Sequence, residues 1–229
     1  MQTQTLRWRV FDSPADLQAA AASAVLQSAN AAIAARGKFL IVLAGGTTPR
    51  EIYSALRSGD TDWSGWHVYY GDERCLPADH ADRNSRMAET SLLLQVGIPA
   101  GQIHAIPAEF GPDRAAQSYS ELLADVGEFD CVLLGLGEDA HTASLFPGQA
   151  WEGATGAPAI AVRNAPKPPD ERVSLSASRL SNARQVIFLV TGAGKRDAVR
   201  QWRDGADIPV AAIRPATGVE VYIDAAAAA

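Results

Sequence analysis

Cysteine and positive charge are both scarce in this chain. Its 229 residues include two cysteines, Cys75 and Cys131, and the formal net charge at pH 7 is -6. Two cysteines exclude a disulfide framework and a cysteine-based metal site, so we expect two reduced thiols. The absence of a basic run argues against nucleic acid as the main partner. A negative total charge still permits an anionic ligand, because a local cationic pocket dominates the field close to it.

Long apolar runs are absent as well. The alanine-rich stretch 19–35 is interrupted by Gln27 and Asn30, which argues against a membrane span. The segment near the amino terminus alternates in polarity and carries Arg7 and Arg9, unlike a secretory signal peptide. We therefore expect a cytoplasmic protein that does not associate with a membrane.

Three common motifs of nucleotide-binding and hydrolytic proteins are also missing. The sequence contains neither the dinucleotide fingerprint G-x-G-x-x-G, nor a Walker P-loop, nor the serine-nucleophile pattern G-x-S-x-G. His67, His80 and His104 have no partners at metal-ligand spacing, and zinc at Asp79, His80 and Asp82 is a weak alternative. We expect the protein to use neither a metal nor a cofactor.

What the chain does contain is an alternation of short apolar segments and helical segments, which is typical of an α/β protein. Ser13-Pro14 predicts the start of a long helix that ends at Gly37. The apolar run 38–44 predicts a central strand that is buried on both faces. The other predicted strands are 6–11, 66–70, 102–106, 129–134, 159–163, 172–175, 185–191, 210–213 and an edge strand at 219–223; the other predicted helices are 50–57, 85–95, 113–126 and 195–202, with a loop at 71–84 and a frayed tail at 225–229. Without a repeat or a linker, the sequence predicts a single domain over residues 1–229.

The segment 135–148, GLGEDAHTASLFPG, is the strongest candidate for an active site. It follows the predicted strand 129–134 directly and contains the titratable pair Asp139 and His141. Ligands of open parallel sheets bind at the carboxyl ends of the strands, so this pair is expected to lie in the binding crevice. Histidine titrates near neutral pH and is suited to activating a water molecule.

Two other segments have the properties of a phosphate site. Gly45-Gly46-Thr47-Thr48 combines flexible backbone and hydroxyl groups with the start of a helix, where amide groups and the helix dipole favour an anion. The alternative is an ordinary strand-to-helix turn capped by Thr48. Lys195 also stands at the start of a predicted helix, where the dipole disfavours a cation. An anionic ligand explains that lysine better than its local position does, and an ordinary surface lysine is the alternative.

Charged residues follow two further strands. Arg74, in Asp72-Glu73-Arg74, has the geometry for a bidentate contact to a phosphate or an oxyanion. A solvated charge cluster is an equally good interpretation of that tripeptide. The prolines at 168–169 stiffen the entry to the next strand, so that Lys167 or Arg172 reaches the site, or else belongs to a structural loop with exposed charges.

These segments, in this order, resemble the 6-phosphogluconolactonase group of the glucosamine-6-phosphate isomerase/6-phosphogluconolactonase family. The likeness rests on AGGTTP at 44–49, GDERCLP at 71–77, Asn84-Ser85, GLGEDAHTASLFPG at 135–148, KPPDERVSLS at 167–176 and TGAGK at 191–195. It implies a Rossmann-like three-layer α/β/α sandwich, shared with glucosamine-6-phosphate deaminases and ribose-5-phosphate isomerases. It also implies a carboxylic ester hydrolase that converts 6-phospho-D-glucono-1,5-lactone to 6-phospho-D-gluconate in the oxidative pentose phosphate pathway without a metal.

The resemblance also implies roles for individual residues. His141 is the expected general base, Asp139 orients or tunes it, and Arg74 steadies the substrate or the oxyanion. Asp72 matches an active-site acid. The residues expected to hold the substrate and its 6-phosphate are Gly45, Gly46, Thr47, Thr48, Lys195 and Arg172.

Two positions in the main motif distinguish this chain from its relatives. The deaminases of the family carry a glutamate five residues after the histidine, and this chain has Phe146, which cannot move protons. A deaminase-like sugar-phosphate isomerase is therefore the second interpretation, and a non-catalytic sugar-phosphate sensor is the third. The family usually has glycine where this chain has Ala140, so a positive φ angle there would strain the alanine by about 1 kcal/mol. The sequence leaves open whether the protein is a monomer or a small homo-oligomer.

Overall fold

The computed structural model describes residues 4–151 and 156–229, within which strands and helices alternate. The strands are β1 (Leu6–Phe11), β2 (Phe39–Leu43), β3 (Trp66–Tyr70), β4 (Asp72–Arg74), β5 (Phe129–Gly135), β6 (Ala159–Val162), β7 (Arg172–Leu175), β8 (Ala183–Val190) and β9 (Val219–Asp224). The helices are α1 (Pro14–Arg36), α2 (Thr47–Leu56), α3 (Asn84–Ser91), α4 (Pro112–Leu122), α5 (Ala177–Ser181), α6 (Arg196–Arg203) and α7 (Ala225–Ala228).

Six of the strands form a central sheet in the order β1-β9-β8-β5-β2-β3, and every neighbouring pair is parallel. The remaining three strands form a small antiparallel sheet in the order β4-β7-β6. The predicted α/β class with a mainly parallel central sheet is therefore confirmed. The small second sheet has no counterpart among the predicted features.

Local sequence signals account for the first half of the sheet. Ser13 caps α1 by accepting a hydrogen bond from the amide of Asp16 at 3.2 Å, and Gly37 ends the helix in the left-handed conformation at φ 72°. The buried face of α1 consists largely of alanines, which let the helix lie close to the strands. All residues of β2 are buried, as expected for a central parallel strand covered on both faces.

The order of the strands creates a crevice between β2 and β5. From β2 the chain moves to β3 on one side, and it then returns to place β5 on the other side of β2. The segments that follow these two neighbouring strands separate at such a switch point and leave room for a ligand. The segments beginning at Gly45 and Leu136 flank it, and these are two of the segments selected from the sequence.

Two of the predicted strands are wrong. Residues 210–213 lie mostly in a 3₁₀ turn, Pro209–Ala212, because Pro209 favours the first position of a turn. Residues 102–106 form no strand, and only a single bridge joins Ile103 to Val68 before Pro107 limits further extension. This segment nevertheless covers the edge of β3, where the amide of His104 donates to the carbonyl of Val68 at 2.8 Å.

Other corrections concern chain segments whose environment is distant in sequence. The predicted loop 71–84 contains β4, which pairs with β7 about a hundred residues later. β9 is not an edge strand, because β1 pairs with its outer side. The predicted frayed tail is the helix α7, which is capped by Asp224 and buries Ala227. Helix α2 begins at Thr47 rather than at 50, and the predicted helix 85–95 is α3 followed by a separate 3₁₀ turn.

No helix in the described parts of the chain is both long enough and apolar enough to span a membrane.

Candidate active site

A cavity of about 410 Å³ opens at the carboxyl ends of the central strands. It lies where the segments after β2, β3 and β5 meet, so the crevice at the switch point is also the place where the predicted side chains converge. The predicted site residues in its wall are Gly45, Gly46, Asp72, Arg74, His141, Arg172 and Lys195. Asp139 lies directly behind His141, and Lys167 is a further cation in the wall.

A tight turn after β5 brings Asp139 and His141 into contact. The amide of Gly137 donates to the carbonyl of His141 at 2.8 Å, and the amide of Ala140 donates to the carbonyl of Gly137 at 3.1 Å. The turn places the Nδ1 atom of His141 against the carboxylate of Asp139. A Cβ atom at Gly137 would overlap both side chains, which is why this position requires glycine.

The Asp139 carboxylate is stabilised in its ionised form. Burial raises its pKa, but the hydrogen bond and positive charge of His141 together outweigh burial and lower the pKa below its usual value. An ionised Asp139 accepts the proton on Nδ1 of His141, so the Nε2 atom of a neutral His141 carries a free lone pair. The pair therefore has the arrangement of a general base.

Ala140 adopts the positive-φ backbone conformation that was considered for it. Its φ angle is 66°, in the left-handed region, and its side chain is fully buried. The left-handed conformation is unfavourable for alanine by about 1–2 kcal/mol. The turn tolerates this strain because its hydrogen bonds and the burial of the methyl group hold the residue in place.

Phe146 forms the apolar support of the histidine. Its ring centroid lies 4.8 Å from that of His141, and the side chain is 1% exposed. The guanidinium carbon of Arg172 lies 5.5 Å from the centroid of the same ring. Phe146 therefore restricts the imidazole without offering a group that exchanges protons.

Lys195 is held at the cavity by a turn that Asp224 fixes. The buried Asp224 carboxylate accepts hydrogen bonds from the amide of Gly192, the nearer at 2.9 Å. Burial lowers the pKa of Lys195, while the charge of Glu138 opposes that effect. The ion pairs found within residues 4–151 and 156–229 include none with Lys195. A half-buried lysine in this state favours an anionic ligand.

The two arginines of the site are anchored by backbone carbonyls. Arg172 donates from Nε to the carbonyl of Pro169 at 3.0 Å and from Nη2 to that of Lys167 at 2.7 Å. Arg172 thus holds the proline-containing loop that carries Lys167. Arg74 donates from Nη1 to the carbonyl of Asp82 at 2.5 Å, and its buried Nε atom has no partner among the described residues.

The threonines after β2 lie outside the cavity wall. Thr47 is exposed, and the hydroxyl of Thr48 lies 2.7 Å from that of Thr191. Thr48 and Thr191 thereby join the turn after β2 to the turn that carries Lys195. Gly46, with φ 105°, adopts a conformation that favours glycine, and a Cβ atom there would meet only Cδ of Pro49, in an ordinary contact at 3.9 Å.

Asp72 and Glu73 are buried, so the interpretation of residues 72–74 as a solvated charge cluster is wrong. Asp72 accepts hydrogen bonds from Nδ2 of Asn84 at 3.0 Å and from the hydroxyl of Ser144 at 2.5 Å. Glu73 accepts from the amides of Asn84 and Ser85 at 2.7 and 2.8 Å, which caps α3. One carboxylate thus joins β4 to the turn of His141, and the other fixes the start of α3.

Sequence reasoning missed three residues that shape this cavity. Asn84 lies in its wall, and Ser144 and Asp224 position other site residues. The sequence pattern around Asn84 was noted, but its position in the chain did not indicate what it contacts. Lys167, which was expected either at the site or in a structural loop, lies in the cavity wall. Ser144 and Asp224 carried no separate signal, because their partners lie 72 and 32 residues away.

A parallel α/β sheet with a histidine–aspartate pair and several cations at its switch point defines a Rossmann-like protein with a site for an anionic small molecule. Across residues 4–151 and 156–229, no group of three or more acidic, histidine or cysteine side chains is placed to hold a metal ion.

Comparison with known proteins identifies the family. The profile of glucosamine-6-phosphate isomerases/6-phosphogluconolactonase matches residues 12–222. The 6-phosphogluconolactonase of Mycobacterium leprae is 37% identical over 223 residues, covering 91% of this chain and 89% of that protein. The solved structure of the 6-phosphogluconolactonase from Trypanosoma brucei is 28% identical, has a TM-score of 0.87, and covers 99% of this chain and 98% of its own. This chain belongs to the glucosamine-6-phosphate isomerase/6-phosphogluconolactonase family.

A third relative shares the fold alone. A monomeric glucosamine-6-phosphate deaminase of known structure is 18% identical and has a TM-score of 0.85, covering 97% of this chain and 98% of its own. The predicted likeness of the fold to the deaminases is thereby confirmed.

Proposed function

We propose that this chain hydrolyses 6-phospho-D-glucono-1,5-lactone to 6-phospho-D-gluconate, the second step of the oxidative pentose phosphate pathway. The observation that carries the proposal is the His141–Asp139 pair beside a cavity with four cations, Arg74, Lys167, Arg172 and Lys195. A phosphorylated lactone needs a base at its carbonyl carbon and positive charge at its phosphate. The names of the relatives support the same reaction.

His141 acts as the general base in this proposal. With Nδ1 donating to Asp139, Nε2 takes a proton from water as the water oxygen attacks the lactone carbonyl. The ring C–O bond then breaks, and the departing ring oxygen receives a proton from the imidazolium. A lactone is an activated ester, so this path needs no nucleophilic side chain. Arg74 stabilises the negative charge that develops on the carbonyl oxygen.

The phosphate end of the substrate lies against Lys195 and the backbone of Gly45 and Gly46. Lys167 and Arg172 add positive charge on the neighbouring wall. Thr47 and Thr48 shape this turn from outside the cavity, Thr48 through its contact with Thr191. Asp72 acts as a positioning residue, because its carboxylate links Asn84 to the Ser144 segment of the His141 turn.

The deaminase-like alternative requires an acid near the histidine to move protons between carbon and oxygen atoms. The nearest side chain at that position is Phe146, whose ring lies on His141. Hydrolysis needs no such acid, so Phe146 supports the lactonase over the isomerase.

We also infer the wider setting of the activity. Residues 1–229 act as one domain, which the pairing of the first strand β1 with the last strand β9 supports. The partner is a small-molecule lactone rather than nucleic acid, which the net charge of -6 supports. The chain acts in the cytoplasm without a cofactor, as a monomer or a small homo-oligomer.

The test is hydrolysis of freshly generated 6-phosphogluconolactone, with the spontaneous rate subtracted. We expect fast turnover by the wild type and a loss of about a hundredfold or more in His141→Ala. His67→Ala, near the opposite end of β3, is the matched control and is expected to keep wild-type turnover. Turnover that survives in His141→Ala would remove His141 from its role. Wild-type binding of sugar phosphates without turnover would instead support the sensor.

A further inference from the structure

Asn84 has a free hydrogen-bond acceptor that faces the cavity. It is the first residue of α3, is 4% exposed, and lies in the cavity wall. Its amide nitrogen Nδ2 donates to both the carbonyl and the carboxylate of Asp72, each at 3.0 Å. Because both of these partners are acceptors, the nitrogen must face Asp72 and the oxygen Oδ1 must point away from it.

The Oδ1 atom has been left without a partner. Among residues 4–151 and 156–229, no group donates a hydrogen bond to it. The Oδ1 atom is not sealed from solvent. Because Asn84 lies in the cavity wall, Oδ1 is open to the cavity. The backbone of Gly45 makes this placement possible, since a Cβ atom there would overlap Oδ1.

Apart from His141, whose Nε2 lone pair takes the proton of the attacking water in the proposed reaction, the side chains of the cavity offer few free acceptors. Lys195, Lys167, Arg172 and Arg74 are donors without acceptor atoms. Both carboxylate oxygens of Asp72 already accept hydrogen bonds, from Asn84 and Ser144. A polyhydroxylated ligand brings O–H donors into the cavity, and these lose hydrogen bonds to water when they bind.

We infer that Asn84 is a specificity-determining residue whose Oδ1 atom accepts a hydrogen bond from one ring hydroxyl of the sugar lactone. A neutral amide suits this task better than a carboxylate, because a second negative charge beside Asp72 would repel the phosphate and the carboxylate product. The contact orients the ring so that its carbonyl carbon faces His141. Glu73 already caps α3, so Asn84 acts through its side chain and not through the end of the helix. This inference rests on the proposed lactonase function.

The experiment pairs a protein change with a substrate change. Wild type and Asn84→Ala are assayed with 6-phosphogluconolactone and with the three analogues that lack the hydroxyl at C2, C3 or C4. For the wild type, we expect kcat/KM for one analogue to fall about three- to tenfold, as for the loss of a neutral hydrogen bond. In Asn84→Ala, that analogue and the parent lactone are expected to react at equal rates. If Asn84 had a purely structural role, Asn84→Ala would lower kcat/KM for the parent lactone and for every analogue by the same factor. The ratio of analogue to parent would then be the same in the variant as in the wild type.

Unchanged ratios for all three analogues in a folded Asn84→Ala would overturn the inference. If that variant does not fold, Gly45→Ala serves instead, because its methyl group must displace Oδ1 without removing the amide. The equal reactivity of the same analogue and the parent is then expected for Gly45→Ala. If the wild type hydrolyses no lactone, the proposed function fails, and the same comparison on binding of 6-phosphogluconate and its deoxy forms tests Asn84 separately.

Discussion

Glu73→Gln is expected to destabilise the protein strongly, although it alters only one atom of a side chain. Glu73 is fully buried and receives hydrogen bonds from the amides of Arg74, Asn84 and Ser85, at 2.9, 2.7 and 2.8 Å. It also forms an ion pair of 3.4 Å with the buried Arg83. Glutamine keeps one acceptor oxygen but places an NH₂ group opposite other donors, in either orientation of its amide.

The expected loss of stability follows from the burial of this ion pair. Removing one partner of a buried pair costs about 3–5 kcal/mol, because the other charge is left without compensation. Arg83 retains Glu109 at 2.8 Å, so we expect the lower end of this range, about 3 kcal/mol. For a chain of this length, each kcal/mol shifts Tm by about 2–4 °C, which gives a decrease of about 6–12 °C.

The assay is thermal unfolding monitored by circular dichroism, together with urea titration, for the wild type and Glu73→Gln. Glu109→Gln is the matched control, because Glu109 binds the same arginine but its side chain is 30% exposed. We expect this control to lose about 1 kcal/mol or less. If Glu73→Gln lost no more than Glu109→Gln, the reasoning about the buried carboxylate would be refuted. Because Glu73 fixes the start of α3, a fall in kcat/KM below the unfolding transition is also expected.

Four further outcomes are expected. Gly137→Ala should reduce lactone hydrolysis by about a hundredfold, because its Cβ atom displaces His141 or Asp139, and unchanged kcat would contradict the geometry of the turn. Ala140→Gly should change the free energy of unfolding, measured by urea titration, by less than about 1 kcal/mol. Glycine relieves about 1–2 kcal/mol of backbone strain, but the buried methyl group is lost and the unfolded chain becomes more flexible. Because the pKa of Asp139 is lowered in the folded protein, its carboxylate contributes stability that is present above the pKa of the unfolded chain and is lost as pH falls through the folded pKa. Asp139→Asn should therefore flatten the dependence of the free energy of unfolding on pH below about pH 4. An unchanged slope would refute this. Burial raises the pKa of Cys75 to about 11 and raises that of Cys131 further. Iodoacetamide at pH 8 should therefore alkylate both thiols much more slowly in the folded protein than in urea, and mass spectrometry measures the extent of alkylation.

Much of the fold could be predicted from the sequence where the cause of the structure is local. Helix α1 begins and ends at its predicted capping residues because Ser13 and Gly37 act on backbone groups a few residues away. The fully apolar run of β2 can only lie in the interior of a sheet. The segment with Asp139 and His141 was found because a strand followed by glycines and titratable residues is itself a local pattern. The left-handed conformation of Ala140 was considered only as a condition, from the glycine that the family usually has at this position, and the structure shows a φ angle of 66° there.

The remaining features depend on partners that are distant in the chain. The segment 210–213 has the composition of a strand, but most of it forms a 3₁₀ turn, and the carbonyls of Val210 and Ile213 accept hydrogen bonds from the side chain of the distant Gln4. Residues 72–74 have no such composition and nevertheless form β4, because β7 offers them hydrogen bonds. The alanine tail forms a helix because Asp224 caps it and the core covers Ala227.

The site divides in the same way. The side chains that are candidates for the site could be selected from the sequence, because His141, Asp139, Arg74 and Lys195 all follow predicted strands or begin a predicted helix. Which of them face one cavity was decided by the strand order, which brings the segments after β2 and β5 together. The free oxygen of Asn84 exists only because Asp72 orients the amide and Gly45 leaves room beside it. Hydrogen bonds between residues far apart in the chain have no signature in a single sequence, and the tertiary structure alone determines them.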